Sequence, residues 1–385
     1  MSAEILRFPE GFFWGTAASA RGVEEDLEPL KSLGTNTHRL SIQWSRLEPD
    51  EGIWAKDAVE YYVRVLGFLK SNGIVPFVTL HHCTIPSWLA KSRGWESERA
   101  VEAFEGYVRR AVRSFGAHVQ HWVTMNAPVL YAYRGYVAGS APPGARSLRR
   151  ALRVCRNLIR AHVRAYHAIH DEAEKLGLTA QVGLAKYFRI FDPLLKSSVW
   201  DGLAARMRDD FFNKFVLNSL HAGVMVFPFG FNRYVPEMER CFDFIGVNYY
   251  TRELIRFRPW RPLDLFGESI ASAAGIGSSS GYEIYPEGLR RVLESVARFG
   301  KPVYITENGV ATDDADVRCR FIVSHLKQGY DVIQLGGDVR GYFHCSLVDG
   351  FGRQANASGH LYGRICAENG LPTEMVRQYS PQDLP

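Results

Sequence analysis

Short apolar runs alternate with longer amphipathic stretches along almost the whole chain. The runs are rich in β-branched and aromatic residues and predict strands, whereas the stretches between them repeat apolar residues at helical spacing. The predicted strands are residues 12–19, 37–44, 75–82, 119–126, 180–188, 242–250, 302–308 and 339–347. The predicted helices are residues 24–33, 58–71, 98–117, 148–176, 209–220, 287–299 and 315–328.

This alternation predicts a parallel α/β fold. Eight strand–helix units favour a (β/α)₈ TIM barrel over an open doubly wound sheet, and no Gly-rich dinucleotide fingerprint follows an early strand. No low-complexity linker or shift in composition divides the chain, so residues 1–385 are expected to form a single domain.

Polar side chains stand where the predicted strands end. In a parallel barrel the carboxyl ends of all strands meet at one mouth, where the chemistry of such barrels takes place. We therefore expect one active site, built from different strands, to contain Arg39, His82, Asn126, Asn248, Tyr250, Glu307 and Asp349.

Composition and charge narrow the classes of function. The chain has 385 residues, 46% of them hydrophobic, and a net charge of +5. Its arginines, as in residues 146–164, are scattered along helices, which favours a solvated face over a nucleic-acid site. The six cysteines form no CxxC pair, and neither a signal peptide nor a membrane-spanning run is evident. A cytoplasmic protein with reduced thiols, and without nucleic-acid or membrane partners, is expected.

The carboxylate of Glu307, at the end of the apolar strand in YITENG (304–309), is the strongest chemical candidate. It could act as a nucleophile or a base, or be the structural partner of an arginine. Arg39 could keep it ionised by charge pairing, and Tyr250 could orient it by a hydrogen bond. His82 and Asn126 could donate to ligand hydroxyls, although a histidine in an apolar run is often a satisfied core residue.

Several motifs, in order along the chain, resemble glycoside hydrolase family 1, the retaining β-glucosidase group. They are FPEGFFWGTAAS (8–19), HRLSIQWSRLEP (38–49), VTLHH (78–82), WVTMNAP (122–128), FIGVNYYTR (244–252), YITENG (304–309) and GYFHCSLVD (341–349). The resemblance implies the barrel, a small-molecule glycoside as substrate, and neither cofactor nor metal.

The same resemblance assigns roles to individual residues. Glu307 is similar to the nucleophile that forms a covalent glycosyl-enzyme, and Arg39 and Tyr250 to its usual neighbours. Asn126 resembles the asparagine that contacts the sugar 2-hydroxyl, and His82 the histidine that contacts the 3-hydroxyl.

Departures from the family pattern are also numerous. Ala127 occupies the position of the acid/base glutamate, and Gly22 that of a glutamine near the first strand. Cys83 and Cys345 replace two tryptophans, and Gly352 and Arg353 replace a glutamate and a tryptophan that clamp the sugar. The chain is also shorter than typical members, which predicts shortened loops and a more open site.

Ala127 leaves three hypotheses open. The alanine could be an engineered replacement in a retaining glycosidase that acts on an unusual glycoside. The chain could instead lack the acid naturally and perform other chemistry in the same barrel, or bind a ligand without turnover. In each case alanine donates no proton, so ordinary β-glucosidase activity is expected to be severely impaired. Some members of the family that cleave thioglucosides lack this carboxylate.

The substituted positions carry their own alternatives. Arg353 could pair with a phosphate or carboxylate on the substrate, or be a solvated loop residue. Cys83 and Cys345 could form a disulfide, bind a soft metal with His82 or His344, supply a reactive thiol, or simply be small apolar residues that widen the pocket.

Overall fold

A computed structural model describes residues 4–17, 33–270, 281–345 and 357–380 of the chain. The strands within these ranges are β1 (Ile5–Arg7), β2 (Phe13–Ala17), β3 (Thr37–Ser41), β4 (Val75–His81), β5 (His121–Asn126), β6 (Gln181–Pro193), β7 (Val224–Met225), β8 (Arg233–Tyr234), β9 (Phe244–Phe257), β10 (Gly267–Ile270), β11 (Val303–Asn308), β12 (Val339–His344) and β13 (Gly370–Pro372).

Eight of these strands close into a parallel barrel. Its order is β9-β11-β12-β2-β3-β4-β5-β6, and pairing of β6 with β9 completes the ring. Each predicted strand corresponds to one barrel strand, so the (β/α)₈ prediction is confirmed. In this ring β4 lies four places from β11, directly across the barrel, and β5 is the next strand after β4.

The helices surround this ring. They are α1 (Trp44–Leu47), α2 (Lys56–Ser71), α3 (Ser87–Lys91), α4 (Arg99–Phe115), α5 (Pro128–Tyr136), α6 (Leu148–Lys175), α7 (Val199–Asp209), α8 (Phe215–Ala222), α9 (Pro286–Ala297), α10 (Ala315–Gln334), α11 (Ala357–Glu368) and α12 (Thr373–Tyr379).

Six of the seven predicted helices fall within the described residues, and the one at 24–33 lies almost wholly outside them. The predicted helix at 209–220 starts too late, because α7 already begins at Val199 and continues through a π-helical turn, Asp210–Lys214, into α8. The short helix α5 was not predicted. It begins immediately after β5, with Ala127 as the residue between the strand and the helix.

Two strands run well beyond their predicted ends. Both β6 and β9 continue past the barrel as a paired ribbon, as far as Pro193 opposite Ile255, and β10 adds to the edge of β9. The apolar pattern stops earlier because the ribbon is half-buried and contains the paired charges of Arg189 and Glu253.

Aromatic rings fill the amino-terminal half of the barrel. Phe77 lies at their centre, stacked on His121 at 4.2 Å between ring centroids and contacting Tyr304 at 5.1 Å and Phe343 at 4.9 Å. This packed layer closes the barrel from below, so the polar strand ends can face solvent only through the opposite mouth.

Two further expectations concern the membrane and the thiols. Within the ranges that the structure describes, no helix is both long enough and apolar enough to cross a bilayer. All six cysteines are described, and all six are free thiols. The disulfide considered for Cys83 and Cys345 is therefore absent.

Candidate active site

Glu307 lies near the end of β11, at the floor of the barrel mouth. Arg39 donates from Nη1 to its Oε1 at 2.7 Å, and the Tyr250 hydroxyl donates to its Oε2 at 2.8 Å. The residue is 9% exposed and lines a cavity of about 1060 Å³. Both carboxylate oxygens are thus held in place by protein donors while the group still faces the cavity.

Arg39, on β3, joins three other strands around this carboxylate. Its Nε donates to Thr79 Oγ1 at 3.0 Å, its Nη1 also to the carbonyl of Thr306 at 3.1 Å, and its Nη2 to Asn126 Oδ1 at 2.7 Å. The guanidinium is buried at 2% exposure, and these partners compensate for the loss of water.

The Asn126 amide is oriented by two donors. Its Oδ1 accepts from Arg39 and, at 2.8 Å, from Asn248 Nδ2, so its Nδ2 must point the other way, toward His82 Nε2 at 2.9 Å. Asn248 is fully buried, accepts from Thr306 Oγ1 at 2.7 Å, and does not line the cavity. Asn248 therefore contacts Asn126 but does not line the cavity, although it was predicted to belong to the site.

His82 has both ring nitrogens engaged. Nε2 accepts from the Asn126 amide, and Nδ1–H donates to Ser41 Oγ at 2.7 Å. Burial lowers the pKa of His82, and the Arg39 charge lowers it further, against an opposing effect of Glu307. The neutral ring is thus favoured, and a ligand hydroxyl would have to displace the Asn126 amide to reach Nε2.

Tyr250 keeps its proton. Burial raises its pKa well above the ordinary range and the Glu307 carboxylate raises it further, so its hydroxyl remains a donor to Glu307. Its ring stacks on Tyr187 at 5.8 Å between centroids. Tyr187 also lines the cavity and was missed, although it follows the inward-facing Ala185 at the period of two that a strand requires.

Ala127 lies in the opposite wall of the cavity, just before α5. Its backbone is left-handed, with φ 47° and ψ 52°, which costs a non-glycine residue about 1 kcal/mol. The amide donates to the carbonyl of Ala185 at 2.7 Å, and the carbonyl accepts from Tyr131 at 3.0 Å. The backbone at Ala127 is thus strained, and its methyl side chain has no group to exchange a proton.

Glu96 is the second carboxylate in the described lining of the cavity. Arg150 binds it in a bidentate arrangement, Nε to Oε2 at 2.9 Å and Nη2 to Oε1 at 2.6 Å. The Arg150 guanidinium is the main reason that the pKa of Glu96 is lowered. A carboxylate held in its charged form has no proton to donate.

The two substituted cysteines differ in position. Cys83 lines the cavity, and desolvation by the surrounding walls raises its pKa, with a further rise from Glu307. Cys345 is not part of the lining, and burial, followed by Glu307, raises its pKa to about 11. Both thiols are thus protonated at neutral pH, which argues against a reactive thiolate. Across the described part of the chain no cluster of three metal-ligating side chains occurs.

Some sequence predictions cannot be placed. Gly22, Asp349, Gly352 and Arg353 lie outside the described residues. Other lining residues were not predicted, notably the cations Lys91, Arg93, Arg134, Arg150 and Arg153. Their sequence signal is weak, because an arginine on an amphipathic helix is usually solvated.

The family comparison agrees with this geometry. A family model described as glycosyl hydrolase family 1 matches residues 21–370, and the chain belongs to this family. The chain is 28% identical to beta-glucosidase A of Thermotoga maritima over 95% of this chain and 99% of that protein. That alignment spans 453 positions, more than the 385 residues here, so the chain lacks segments that the relative has.

Solved structures extend the comparison. A beta-glycosidase from Pyrococcus horikoshii superposes with a TM-score of 0.90, at 31% identity and with 99% of each chain covered. The beta-glucosidase from Thermotoga maritima in complex with glucoimidazole gives a TM-score of 0.85 at 27% identity, covering 95% of this chain and 99% of that one.

Proposed function

We propose that this chain carries out retaining β-glycosidase chemistry, with Glu307 as the nucleophile, on glycosides whose leaving group departs without protonation. The observation that carries the proposal is the Glu307 carboxylate, fixed by Arg39 and Tyr250 at the floor of a cavity large enough for a sugar ring and an attached group.

In the first step Glu307 forms a bond from a carboxylate oxygen to the anomeric carbon. The bond from that carbon to the leaving group breaks, and the leaving group takes the electron pair as an anion. In the second step water attacks the same carbon, Glu307 leaves as a carboxylate, and the water proton passes to solvent. Tyr250 and Arg39 hold the carboxylate before the attack and receive it afterwards.

Ala127 limits both steps. Without a carboxylic acid there, an alkoxide leaving group is not protonated, and without its conjugate base the attacking water is not activated. General acid–base catalysis typically contributes about 10²–10⁴-fold, so common alkyl glycosides should be poor substrates. An unusual glycoside with an acidic leaving group avoids the first penalty.

The comparisons support a sugar-like ligand. One relative from Thermotoga maritima is named beta-glucosidase A, and a similar solved structure is a beta-glucosidase from Thermotoga maritima in complex with glucoimidazole. Asn126 still has one amide N–H that is not used by His82, which leaves a donor for a ligand hydroxyl.

Ala127 also favours a second candidate function, ligand binding without turnover or with other chemistry. The two candidates differ in whether Glu307 forms a bond to the ligand. Covalent trapping therefore separates them better than a rate measurement does, because a slow second step leaves the trapped species intact.

The test incubates the protein with 2,4-dinitrophenyl 2-deoxy-2-fluoro-β-glucoside and its galactoside counterpart, followed by intact-mass measurement. The expected result is one fluoroglycosyl adduct on Glu307, absent in Glu307→Gln. Glu283→Gln is the matched control, because Glu283 pairs with Arg252 and does not line the cavity.

Azide should then accelerate turnover of the non-fluorinated dinitrophenyl glycoside by entering the space at Ala127 and attacking the glycosyl-enzyme. A β-glycosyl azide is the expected product. If no adduct forms with either sugar and azide has no effect, the glycosidase proposal fails and the binding candidate remains.

A further inference from the structure

We propose that the cavity wall formed by the segments after β4 and β5 binds an anionic group on the leaving-group part of the substrate. The inference rests on the proposed function for the identity of the attached sugar. The charge of the wall, however, can be tested without any sugar.

The position of this wall follows from the strand order. Glu307 stands on β11, whereas the segment after β4 and the helices α5 and α6, which follow β5, come from the other side of the ring. A nucleophilic displacement places the leaving group opposite the attacking oxygen. A group expelled by Glu307 therefore moves toward the side of Ala127.

The wall is unevenly charged. The described lining of the cavity contains five lysine and arginine side chains, at positions 91, 93, 134, 150 and 153, and two carboxylates, Glu307 and Glu96. Glu96 is already matched by Arg150, and Arg93 adds a second, weaker contact at 3.9 Å.

Three cations are left without a counter-charge in contact. Among the described residues, the side chains of Lys91, Arg134 and Arg153 form no hydrogen bond or ion pair; Arg153 acts on Glu96 only through its longer-range charge. The charge of Arg134 is felt within the cavity, because it lowers the pKa of Cys83 against the larger effect of desolvation.

The arginines of α6 differ in whether they are paired. Further along the same helix α6, outside the cavity, Arg160 pairs with Glu98 at 2.8 Å and Arg164 with Glu105 at 3.4 Å. Among the described residues, Arg149 and Arg156 of this helix lie outside the cavity and make no ion pair either. The cavity is distinguished because three unpaired cations face one enclosed space. A cleft with an excess of one sign of charge raises the local concentration of ligands of the other sign.

The charge also fits the missing acid. A leaving group that is not protonated departs with a negative charge, and cations placed on its side stabilise that charge. An aglycone that already carries a carboxylate or sulfate would be held by the same cations before and after cleavage. Arg134 and Arg153 present the donor geometry that such groups accept.

The test measures binding by titration calorimetry to the Glu307→Gln protein, so that no turnover interferes. The glycoside probes are 4-carboxyphenyl β-glucoside and its neutral methyl ester, and the sugar-free probes are 4-hydroxybenzoate and methyl 4-hydroxybenzoate. The expected result is that each anion binds roughly fivefold or more tightly than its ester, an advantage that disappears between about 0.05 and about 0.5 M NaCl.

Arg134→Gln and Arg153→Gln, each added to Glu307→Gln, should reduce the advantage of the anion roughly two- to fivefold and leave ester binding unchanged. Arg149→Gln is the matched control. Arg149 lies on α6, the helix of Arg153, and is exposed outside the cavity lining. All of these arginines are at least partly exposed, so folding should persist.

The outcomes separate the two proposals. If the free anion shows the arginine-dependent advantage and neither glucoside binds, the anion site stands and the sugar assignment fails. If anion and ester bind equally, or if the arginine variants weaken both to the same degree, the anion site is overturned whatever the sugar result.

Discussion

The two sides of the cavity differ in how completely their polar and charged side chains are paired. On the side of Glu307, called the nucleophile side after its proposed role, each described polar side chain has protein partners. Arg39 alone makes four hydrogen bonds there. On the leaving-group side Ala127 contributes only a methyl group, and three cations lack a partner in contact. One side is a closed network and the other is an open, charged wall.

This difference in pairing predicts how well each side of the cavity tolerates substitution. Removing one member of a buried charged network leaves another member unpaired and desolvated, which is costly. In the described part of the wall only the Glu96–Arg150 pair is coupled in this way. The unpaired, at least partly exposed Arg134 and Arg153 can therefore be replaced without loss of folding. The hydrogen bonds around Arg39 and Glu307 therefore contribute to the stability of the fold as well as to the proposed reaction. Measuring unfolding free energy and turnover separately distinguishes these contributions.

The largest expected effect comes from placing a carboxylic acid at position 127, where the proposed function lacks a proton donor. Ala127→Glu should raise turnover of a glycoside with a poor leaving group, such as a methyl or alkyl glycoside, by about 10²–10⁴-fold. The effect on dinitrophenyl glycosides should be much smaller, since their first step needs no proton. Turnover rates for both substrates over a range of pH check the prediction.

Ala127→Gln is the control, because glutamine has the shape of glutamate without its acid. Equal gains in the two variants would show that filling the space, and not proton transfer, is responsible. No gain with glutamate would indicate that the strained turn no longer aims this side chain at the leaving group.

The next effect concerns the closed network. Arg39→Met should destabilise the fold by about 3–5 kcal/mol, because Glu307 would remain buried without its cation. Combining it with Glu307→Gln should recover part of that loss. Arg340→Met is the control, since Arg340 pairs with Asp338 at the surface and should cost no more than about 0.5 kcal/mol.

Chemical denaturation of the unaltered protein, Arg39→Met, Glu307→Gln, their double variant and the Arg340→Met control checks this comparison. Additive losses in the double variant would contradict the coupling between Arg39 and Glu307. The nucleophile side would then be no more closed than the opposite wall.

The smallest effect is a dependence on pH. The pKa of His82 lies below its ordinary value of 6.5, chiefly because of burial and then because of Arg39. The unfolded chain therefore takes up this proton first as the pH falls. The stability associated with neutral His82 is full above about pH 6.5 and declines below it.

His82→Gln should therefore flatten the loss of stability between about pH 7 and pH 5 relative to the unaltered protein. Denaturation at several pH values measures the slope, and imidazole NMR of His82 gives its protonation directly. A His82 that titrates above its ordinary value would mean that Glu307 outweighs burial and Arg39, contrary to the present geometry.

Much of the site could be anticipated from strand ends. Arg39, Asn126, Tyr250 and Glu307 converge as expected, because parallel strands of a closed barrel present their carboxyl ends at one mouth. His82 also lies there, but both its nitrogens are already paired, a detail that no spacing in the sequence could reveal. Asn248 supports Asn126 from beneath instead of facing the cavity.

The sequence by itself determined the barrel and the side of the cavity that contains Glu307. The alternation of side chains along a strand and the residue at its end are local properties, and closure of the sheet brings those ends together in one site. Only the tertiary structure decided the charge of the opposite wall. Arg134 lies on an unpredicted helix, and Arg153 lies on a helix whose arginines look alike in sequence. Which of these side chains face the cavity depends on how α5 and α6 pack above the strand ends, and that packing depends on contacts far apart in the chain.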